Sequence, residues 1–435
     1  MASILPFRAW RYNQELSANI EAHTSPLFDV INEKQSEALY NLEFNSIHLS
    51  VPKPQEAPED ARKTIEKWKQ EGIIEQDPVP GIYIYYQKFT LPGQSAPLTR
   101  KGFICMVKAE DWGKEDSDIL RHENTIPHSV DGRVAVLDAT ELNVSPTHGL
   151  YEDDSFELEE FMDEAMQSPI YEVEDYQGVT DSLAIIHDKT IIQKFMNKLE
   201  KQQIILADGH HRLESSIQYR NKCKSINTNH TGREAYNYHL MYLTNSNSSD
   251  LRILPTHRLI HGLKNFDKTE LLQKLDKYFI IKPLDDPYDI EDIILGKKWA
   301  FGLLFGEEVF KIRLKPEVHD QLSWSFPALL KDLDLTVMHY FVIEKCLGIL
   351  GKDQRKSPNI SFERNFAVCV KKTLKGEAQC ALITKELNMD TVLKVCKSGF
   401  TLPQKSTFFY PKVVSGFLFG SIKENEFTLP IDIGF

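Results

Sequence analysis

Hydrophobic and polar positions follow two periods along this chain, one typical of strands and one of helices. The run 82–89 is rich in β-branched and aromatic residues, which predicts a strand. Residues 188–201 place apolar side chains at helical spacing, and the apolar run 203–207 after them predicts a short strand. Residues 299–304 and 309–313 predict a hairpin. These elements together predict a mixed α/β (α+β) fold.

Further segments fill in that architecture. Residues 58–71 predict a helix with an acidic first turn, and residues 102–107 and 133–137 predict strands. The chain has no internal repeat or low-complexity tract, and no clean linker marks a domain boundary. We expect an α/β domain over 1–260 and a C-terminal α+β domain over 261–435.

The charge of the chain argues against nucleic-acid binding. Asp and Glu number 63 against 51 Lys and Arg, so the formal net charge is −12. An acidic chain repels a phosphate backbone unless it carries a local basic patch, and no long basic arm is present. A small phosphorylated ligand needs only a few cations and remains compatible with this balance.

Cysteine usage and hydropathy predict a cytoplasmic protein. The six cysteines form no C-x-x-C pair and no zinc-finger spacing, so we expect reduced thiols, no disulfide framework and no metal site. No signal peptide and no run of about 18 uncharged apolar residues is present, which predicts no membrane partner. The sequence does not determine the oligomeric state.

The strongest chemical signal is the stretch IILADGHHRLE at 204–214. An apolar strand ends at Asp208, and Gly209 permits a sharp turn with close ligand approach. The helix that follows presents its first amides and its dipole to that turn, which suits an anion. His210, His211 and Arg212 add two imidazoles and a guanidinium suited to phosphate contact. The alternative is an ordinary strand–turn–helix whose histidines cap or pack.

Other polar clusters are weaker candidates. Asp29 and Glu123, together with Asp208, are carboxylates that could act as a base or hold Mg²⁺; a helix cap and a solvated loop are the alternatives for the first two. Asn45 and His48 form a polar pair beside a predicted strand.

Two further segments could contact phosphate. The first holds His257 and Arg258, and a surface loop is its alternative. The second holds Lys405, Ser406 and Thr407, for which a strand edge is the alternative. The second is not a P-loop, because the glycines that such a loop needs are absent. The chain also has no G-x-S-x-G, H-E-x-x-H or G-x-G-x-x-G motif, so serine-hydrolase, zinc-protease and dinucleotide functions have no support.

Several stretches of the chain resemble the bacterial family catalogued as domain of unknown function 1015. They are LADGHHRLESSIQYR, MYLTNSNSSDLRILPTHRLI, SPLFDVI, NSIHL, IYIYYQ, RHENT, SPTHGLY and PQKSTFFYPK. The core at 209–212 is also similar to the superfamily of chromosome-partition (ParB) CTPases, sulfiredoxin and an archaeal free-serine kinase. Partition proteins carry Gly-Glu-Arg-Arg there, and sulfiredoxins carry Gly-Cys-His-Arg. The kinase type carries Asp-Gly-His-His-Arg, as this chain does at 208–212.

The resemblance implies a ParB/sulfiredoxin-like nucleotide-binding core with large additional α+β segments. It also implies phosphoryl transfer between a nucleotide such as ATP or ADP, or water, and a small hydroxyl substrate, with serine or phosphoserine the leading example and Mg²⁺ a candidate cofactor. Because His210 stands where sulfiredoxin has its catalytic thiol, the resemblance argues against sulfinic-acid repair.

Three hypotheses about function therefore compete. The first is a kinase or phosphatase acting on a small hydroxy metabolite, with Asp208, His210, His211 and Glu123 as catalytic candidates. The second is a CTP-type nucleotide-binding regulator without turnover. The third is a scaffold in which the 208–212 segment has only a structural role.

Overall fold

The computed structural model divides the chain into two compact units. Unit 1 comprises Met1–Arg252 and Pro411–Phe435, and unit 2 comprises Ile253–Tyr410. The structure describes residues 2–27, 30–51, 53, 58–92, 94–112, 117–125, 127–175, 177–403 and 405–427, without the side chains of 127–129.

The strands range from two residues to the eleven of β5, and most of them are strongly buried. In chain order they are β1 (Ile4–Leu5), β2 (Trp10–Tyr12), β3 (Ile74–Gln76), β4 (Ile82–Phe89), β5 (Leu98–Lys108), β6 (Ile119–Arg121), β7 (Leu142–Asn143), β8 (Thr147–Tyr151), β9 (Tyr171–Glu174), β10 (Thr180–Ile186), β11 (Ile204–Asp208), β12 (Tyr238–Asn245), β13 (Arg252–Ile253), β14 (His257–Ile260), β15 (Phe279–Leu284), β16 (Ala300–Phe305), β17 (Glu308–Leu314), β18 (Ile360–Glu363), β19 (Cys380–Ile383), β20 (Phe409–Tyr410) and β21 (Gly420–Ser421).

The helices range from single turns to the long helix that follows β11. In chain order they are α1 (Gln14–Ser17), α2 (Ile20–His23), α3 (Glu33–Tyr40), α4 (Ile47–Ser50), α5 (Pro58–Gln70), α6 (Pro127–Thr140), α7 (Glu159–Ala165), α8 (Lys189–Glu200), α9 (His210–Ile226), α10 (Lys268–Asp276), α11 (Ile290–Ile294), α12 (Ala328–Lys331), α13 (Asp334–Val337), α14 (Gly351–Gln354), α15 (Phe366–Leu374) and α16 (Met389–Lys397). Three 3₁₀ segments among the described residues are Ala235–Asn237, Pro287–Asp289 and Pro316–Gln321, and a π-helical segment, Met338–Cys346, follows α13.

Unit 1 is built on a large mixed sheet. Its described strands run in the order β6-β11-β8-β12-β5-β4-β10-β9, and β1 pairs with β5. The β6–β11 and β8–β12 pairs are parallel, and the other pairs are antiparallel. Because β6 and β11 are parallel neighbours, the residues that follow Arg121 and Leu206 lie at the same edge of the sheet.

Both faces of this sheet are buried. Alternate residues of a strand point to opposite faces, and β4 shows the pattern clearly. Ile82 and Ile84 pack in one apolar cluster with Phe195 of α8, whereas Tyr83 and Tyr85 pack in the other. A sheet covered on both sides excludes water from polar side chains on its strands, so every such side chain needs a partner.

Unit 2 has its own antiparallel sheet, in the order β15-β17-β16-β19-β14-β18. Its apolar cluster joins Leu271 and Leu275 of α10 to Phe341 of the π-helical segment and to Leu303 of β16. The two sheets and their helices confirm the predicted mixed α/β class. Among the helices in the described ranges, none combines the length and apolar character needed to span a bilayer.

Residues 133–137 correct one sequence prediction. We expected a strand there, and the segment lies inside α6. The buried Val130 and Leu137 with the half-buried Val134 stand at i, i+7 and i+4, which is one face of a helix. The apolar run is short enough to fit either period, and the apolar residue at position 130 favours the helix.

The division into units differs from the expected boundary after residue 260. The first crossing lies between Arg252 and Ile253, and the chain from Pro411 onward returns to unit 1. The return is held by specific contacts, because the Ser25 and Ser415 backbones bond each other, as do those of Trp10 and Phe419. No composition change in the sequence marks this return.

Candidate functional site

The segment around Gly209 has the predicted strand–turn–helix geometry. β11 ends at Asp208, Gly209 adopts φ 90° and ψ 27°, and α9 begins at His210. The first backbone bonds of α9 run from the Arg212 and Leu213 amides to the Gly209 carbonyl, at 2.9 and 3.0 Å. The amides of Gly209 and His210 therefore precede the helical hydrogen-bond ladder, as in anion sites at helix N-termini.

Gly209 is required for two reasons, and its replacement by alanine tests both. The left-handed backbone disfavours a side chain, and a Cβ would lie 2.6 Å from Cγ2 of Thr147 and 3.0 Å from Nη2 of Arg212. We expect Gly209→Ala to lower the free energy of unfolding by about 2–4 kcal/mol, measured by urea denaturation.

Gly232→Ala is the matched control, because Gly232 also has positive φ (84°) but a Cβ added there would meet no atom within 4 Å among the described residues. Gly232→Ala should lower the free energy of unfolding by only about 1–2 kcal/mol, which is the contribution of the strained backbone. Equal losses in the two variants would show that the Thr147 contact does not constrain the turn.

Asp208 lies between two cations. Its Oδ2 accepts from Nη2 of Arg212 at 3.0 Å, and its Oδ1 pairs with Nζ of Lys412. The side chains of all three are at most 17% exposed. Burial alone would raise the pKa of Asp208, but the charges of Lys412 and Arg212 outweigh it and hold that pKa below its usual range. The carboxylate is therefore ionised and is a weak proton acceptor.

Arg212 is turned toward the protein. Nη1 donates to the Pro146 carbonyl at 2.6 Å and to Oγ of Ser145 at 3.0 Å, and Nη2 donates to Asp208. Its Nε has no partner among the described residues. These bonds hold Asp208 and the backbone of residues 145–146, and phosphate contact by the Arg212 guanidinium stays a prediction.

His210 forms a buried pair with His122. The two ring centroids are 4.6 Å apart with an interplanar angle of 87°, and the Trp112 ring lies 6.1 Å from His210. Nδ1 of His122 bonds the Leu206 carbonyl at 2.8 Å. Burial lowers the pKa of His122 to about 4 and, with the neighbouring His122 ring, lowers that of His210 well below its usual value. Both imidazoles are neutral at physiological pH, and Nε2 of His210 has no partner within the described ranges.

The other two catalytic candidates lie beside this pair in the chain. Glu123 follows His122 in the loop after β6, at the same sheet edge as Asp208, and it is half-buried. His211 is half-buried in the first turn of α9. Asp29 lies outside the described residues.

Asn45 and His48 have local bonds that account for them. Asn45 is fully buried, donates to the carbonyls of Ala22 and Thr24 at 2.8 Å, and accepts from the Ile47 amide. His48 bonds the Leu42 carbonyl at 3.0 Å. These contacts close the loop before α4, and the role of the pair in a site stays a prediction.

The remaining candidates belong to unit 2. His257 is fully buried and its Nδ1 accepts from the Thr384 amide at 3.2 Å. Arg258 is also buried and donates to the carbonyls of Thr256 and Lys405. Ser406 donates to the Pro403 carbonyl, and Lys405 has positive φ. Thr407 is half-buried in the same stretch. Phosphate contact by these residues stays a prediction.

A row of polar side chains crosses the unit 1 sheet on the face that carries Asp208. The strand register places Asp181 opposite Gln87 and Gln87 opposite Arg100. Further along, Tyr242 lies opposite His148, and His148 opposite Asp208. We call these six residues the polar row; all but Asp208 are less than 9% exposed.

The segment Pro411–Lys412 connects the two halves of the polar row. Nη2 of Arg100 donates to the Pro411 carbonyl at 2.5 Å, and Nε2 of Gln87 donates to the Lys412 carbonyl at 2.9 Å. The ammonium of the same lysine pairs with Asp208. One short segment therefore links Arg100 and Gln87 to the start of α9.

Asp181 stands at the far end of the row. Its Oδ1 accepts from the Tyr85 hydroxyl at 2.5 Å and from Nε2 of Gln87 at 2.7 Å, and its Oδ2 has no partner among the residues described. Burial raises the pKa of Asp181 to about 7, against the opposing effect of these hydrogen bonds. The folded protein therefore keeps a proton that the unfolded chain releases near pH 4.

Asp181→Asn is expected to remove a pH-dependent loss of stability. Because the folded-state pKa is raised, wild-type stability should fall as pH rises from about 4 to about 7, by on the order of 3–4 kcal/mol from this group. The variant should lack that component in urea denaturation between pH 4 and 8. Asp131→Asn, at an exposed position of α6, is the control and should parallel the wild type. Parallel curves for Asp181→Asn and wild type would contradict the raised pKa.

The sequence candidates omitted Lys412, His122, Arg100 and Asp181. Lys412 and His122 stand inside the PQKSTFFYPK and RHENT stretches, next to residues that were candidates. Arg100 and Asp181 carry a different signal, because each is a charge at a core-facing position of a strand. That signal depends on strand register, which the sequence did not supply.

The two cationic side chains beside Asp208 disfavour binding of the expected Mg²⁺ at this carboxylate. Both of its oxygens bond cationic side chains, and no group of three or more His, Cys, Asp or Glu within the described ranges could hold a metal. The residues that the structure describes do not fit a protein-bound Mg²⁺ site.

Unit 1 is thus a mixed α/β body with a strand–glycine–helix site beside a buried polar row. The chain belongs to the family described as "Protein of unknown function (DUF1015)", whose profile matches residues 4–336. No curated protein matches it.

Solved structures give distant likenesses. A free serine kinase in complex with AMP is 12% identical, with 72% of this chain and 90% of that chain covered and a TM-score of 0.35. A conserved hypothetical protein from Pyrococcus furiosus is 13% identical, with 70% and 92% covered and a TM-score of 0.34. C-terminally truncated SbnI from Staphylococcus aureus is 12% identical, with 73% and 82% covered and a TM-score of 0.32. These values are too low to transfer a function.

Proposed function

We propose that unit 1 binds a phosphate group at the start of α9 and transfers a phosphoryl group to or from a small hydroxy metabolite. One observation carries this proposal. A buried imidazole, whose Nε2 has no partner among the described residues, stands at a left-handed glycine turn next to a carboxylate held between two cations. His239, another buried histidine of this unit, has both ring nitrogens bonded.

The electrostatics of the turn favour a phosphate. The helix N-terminus and Lys412 supply positive potential at the turn. Lys412 is the cation we assign to the phosphate, because a flexible ammonium carries three donors and can serve Asp208 and a ligand together. Arg212 is a positioning residue, because its hydrogen bonds orient Asp208 and the backbone before β8.

The same geometry divides the acid–base roles. Asp208 has a depressed pKa, so it suits orientation of Lys412 better than proton acceptance. His210 is neutral, and its Nε2 bonds nothing in the described part of the chain, so it can exchange a hydrogen bond or a proton with the reacting hydroxyl. Glu123 and His211 remain the alternative proton acceptors at this edge.

A nucleotide is the proposed phosphoryl partner, and serine or phosphoserine the first substrate to test. Both follow from the similarity of Asp208–Arg212 to the free-serine-kinase motif. The polar row also favours a polar substrate over an apolar one, because it extends from Asp208 across the sheet through His148 and Tyr242.

A turnover assay tests the proposal. Purified protein is incubated with serine plus ATP or ADP, and separately with phosphoserine, and products are followed by ³¹P NMR with Mg²⁺ supplied. We expect new phosphorus resonances that depend on the protein. Nucleotide binding without any product would support the regulatory alternative, and neither binding nor turnover would overturn phosphoryl transfer.

A further inference from the structure

Arg100 is a buried cation with unused donors. Its side chain is 1% exposed, and Nη2 donates to Oε1 of Gln87 and to the Pro411 carbonyl. Nε and Nη1 have no hydrogen-bond partner among the described residues. A guanidinium stays protonated in proteins, so it cannot lower the penalty of burial by losing its charge.

The surroundings of Arg100 do not neutralise it. Both acceptors of Nη2 within the described ranges are neutral oxygens, and the guanidinium interacts with the uncharged Tyr242 side chain, whose ring centroid lies 5.5 Å away. The nearest acid along the polar row is Asp181, with Gln87 between them. An unpaired buried charge is strongly unfavourable, and a bound ligand of opposite charge would offset that cost.

Arg100 is also linked to the proposed phosphate site. It holds the carbonyl of Pro411, and the next residue, Lys412, pairs with Asp208 at the start of α9. A small molecule that occupied both Arg100 and the phosphate site would contact two cations that the Pro411–Lys412 segment joins.

We propose that Arg100 forms a second subsite, which binds the carboxylate of the hydroxyl-bearing substrate. The proposal rests on the proposed function and adds the class of substrate: a small organic acid whose hydroxyl or phosphate group lies toward His210. A singly charged carboxylate matches the single positive charge of the guanidinium and can accept from its unused donors. Oδ2 of Asp181, which bonds nothing among the described residues, carries the proton of that acid while it is neutral and can donate to the same ligand.

Calorimetric titration with paired ligands tests the subsite. O-phosphoserine and O-phosphoethanolamine differ only in the carboxylate, as do serine and ethanolamine. Wild type should bind the carboxylate-bearing member about tenfold to a hundredfold more tightly, as expected for a charge-assisted hydrogen bond. Arg100→Gln should reduce that ratio to about twofold or less, even where the loss of its bond to Pro411 also weakens the binding of inorganic phosphate.

Two further variants serve as controls. Arg100→Lys keeps the charge and should retain part of the affinity ratio, and it provides the test if Arg100→Gln does not fold. Arg220→Gln removes another buried arginine of unit 1, one whose donors already bond the Ala109 carbonyl and Asp111, and should keep the full ratio. A wild-type ratio near one, or a ratio unchanged in Arg100→Gln, overturns the subsite.

Failure of the proposed function gives a different pattern. If no phosphate-bearing ligand binds but wild type prefers serine to ethanolamine through Arg100, the subsite stands and phosphate binding at α9 fails. If phosphate binds and the protein does not distinguish the members of either ligand pair, phosphate binding at α9 stands and the Arg100 subsite fails. An equal loss for both members of a pair in Arg100→Gln identifies Arg100 as structural and contradicts the proposal.

Discussion

Replacing Lys412 by methionine is expected to lower the free energy of unfolding by about 3–5 kcal/mol at pH 7. The buried Asp208 carboxylate would then keep Arg212 and lose Lys412 of its two cationic partners. The two side chains are 11% and 17% exposed, so solvent screens the pair weakly. Urea denaturation monitored by circular dichroism gives the value. The contribution should be complete above about pH 4 and lost as pH falls below it, because the folded-state pKa of Asp208 is depressed.

A double-mutant cycle separates the pair from general loss of packing. The Asp208→Asn, Lys412→Met double variant should be more stable than the sum of the single losses predicts, by about 1–3 kcal/mol. Lys222→Met is the control, because its pair with Asp138 is half exposed and should contribute at most about 1 kcal/mol. Additive losses in the cycle would contradict a direct Asp208–Lys412 interaction.

Replacing His210 by glutamine is expected to reduce turnover by about 10²–10⁴-fold, which is the usual effect of removing a positioned acid–base group. The free energy of unfolding should change by less than about 1 kcal/mol, because Nε2 has no partner to lose in the described part of the chain. Steady-state kinetics and urea denaturation of the same preparation provide the two values.

His239→Gln is the matched control for burial. Its ring nitrogens bond Oγ of Ser216 at 2.7 Å and Oγ1 of Thr147 at 3.0 Å, and burial lowers its pKa to about 3. This variant should lose stability by about 1–3 kcal/mol while turnover falls by less than about tenfold. If His210→Gln behaves like this control, His210 has a structural role.

The sequence predicted the elements around the motif because their periodicity is strong and local. α8, β11 and α9 form one continuous helix–strand–helix pattern in which each residue's environment depends on near neighbours, and Gly209 has the positive φ that its position required. The hairpin of β16 and β17 was predicted for the same reason. Residues 133–137 were predicted wrongly because the four-residue apolar run 134–137 satisfies both periods.

The rest of the site depends on contacts between distant residues. Lys412 is 204 positions from Asp208, and Arg100 is 311 positions from Pro411. No local pattern relates such residues; only the strand order and register bring them together. Arg212 illustrates the opposite case, because the sequence identified the residue but its direction depends on Ser145 and Pro146, which approach from β8.

Titration of inorganic phosphate into the wild-type protein, with Lys412→Met and His210→Gln in parallel, tests whether phosphate binds at the start of α9. We expect a wild-type dissociation constant of about 1 mM or lower and a loss of affinity of about tenfold or more in each variant. Absence of binding to wild type, or equal affinity in all three proteins, would contradict a phosphate site at the start of α9.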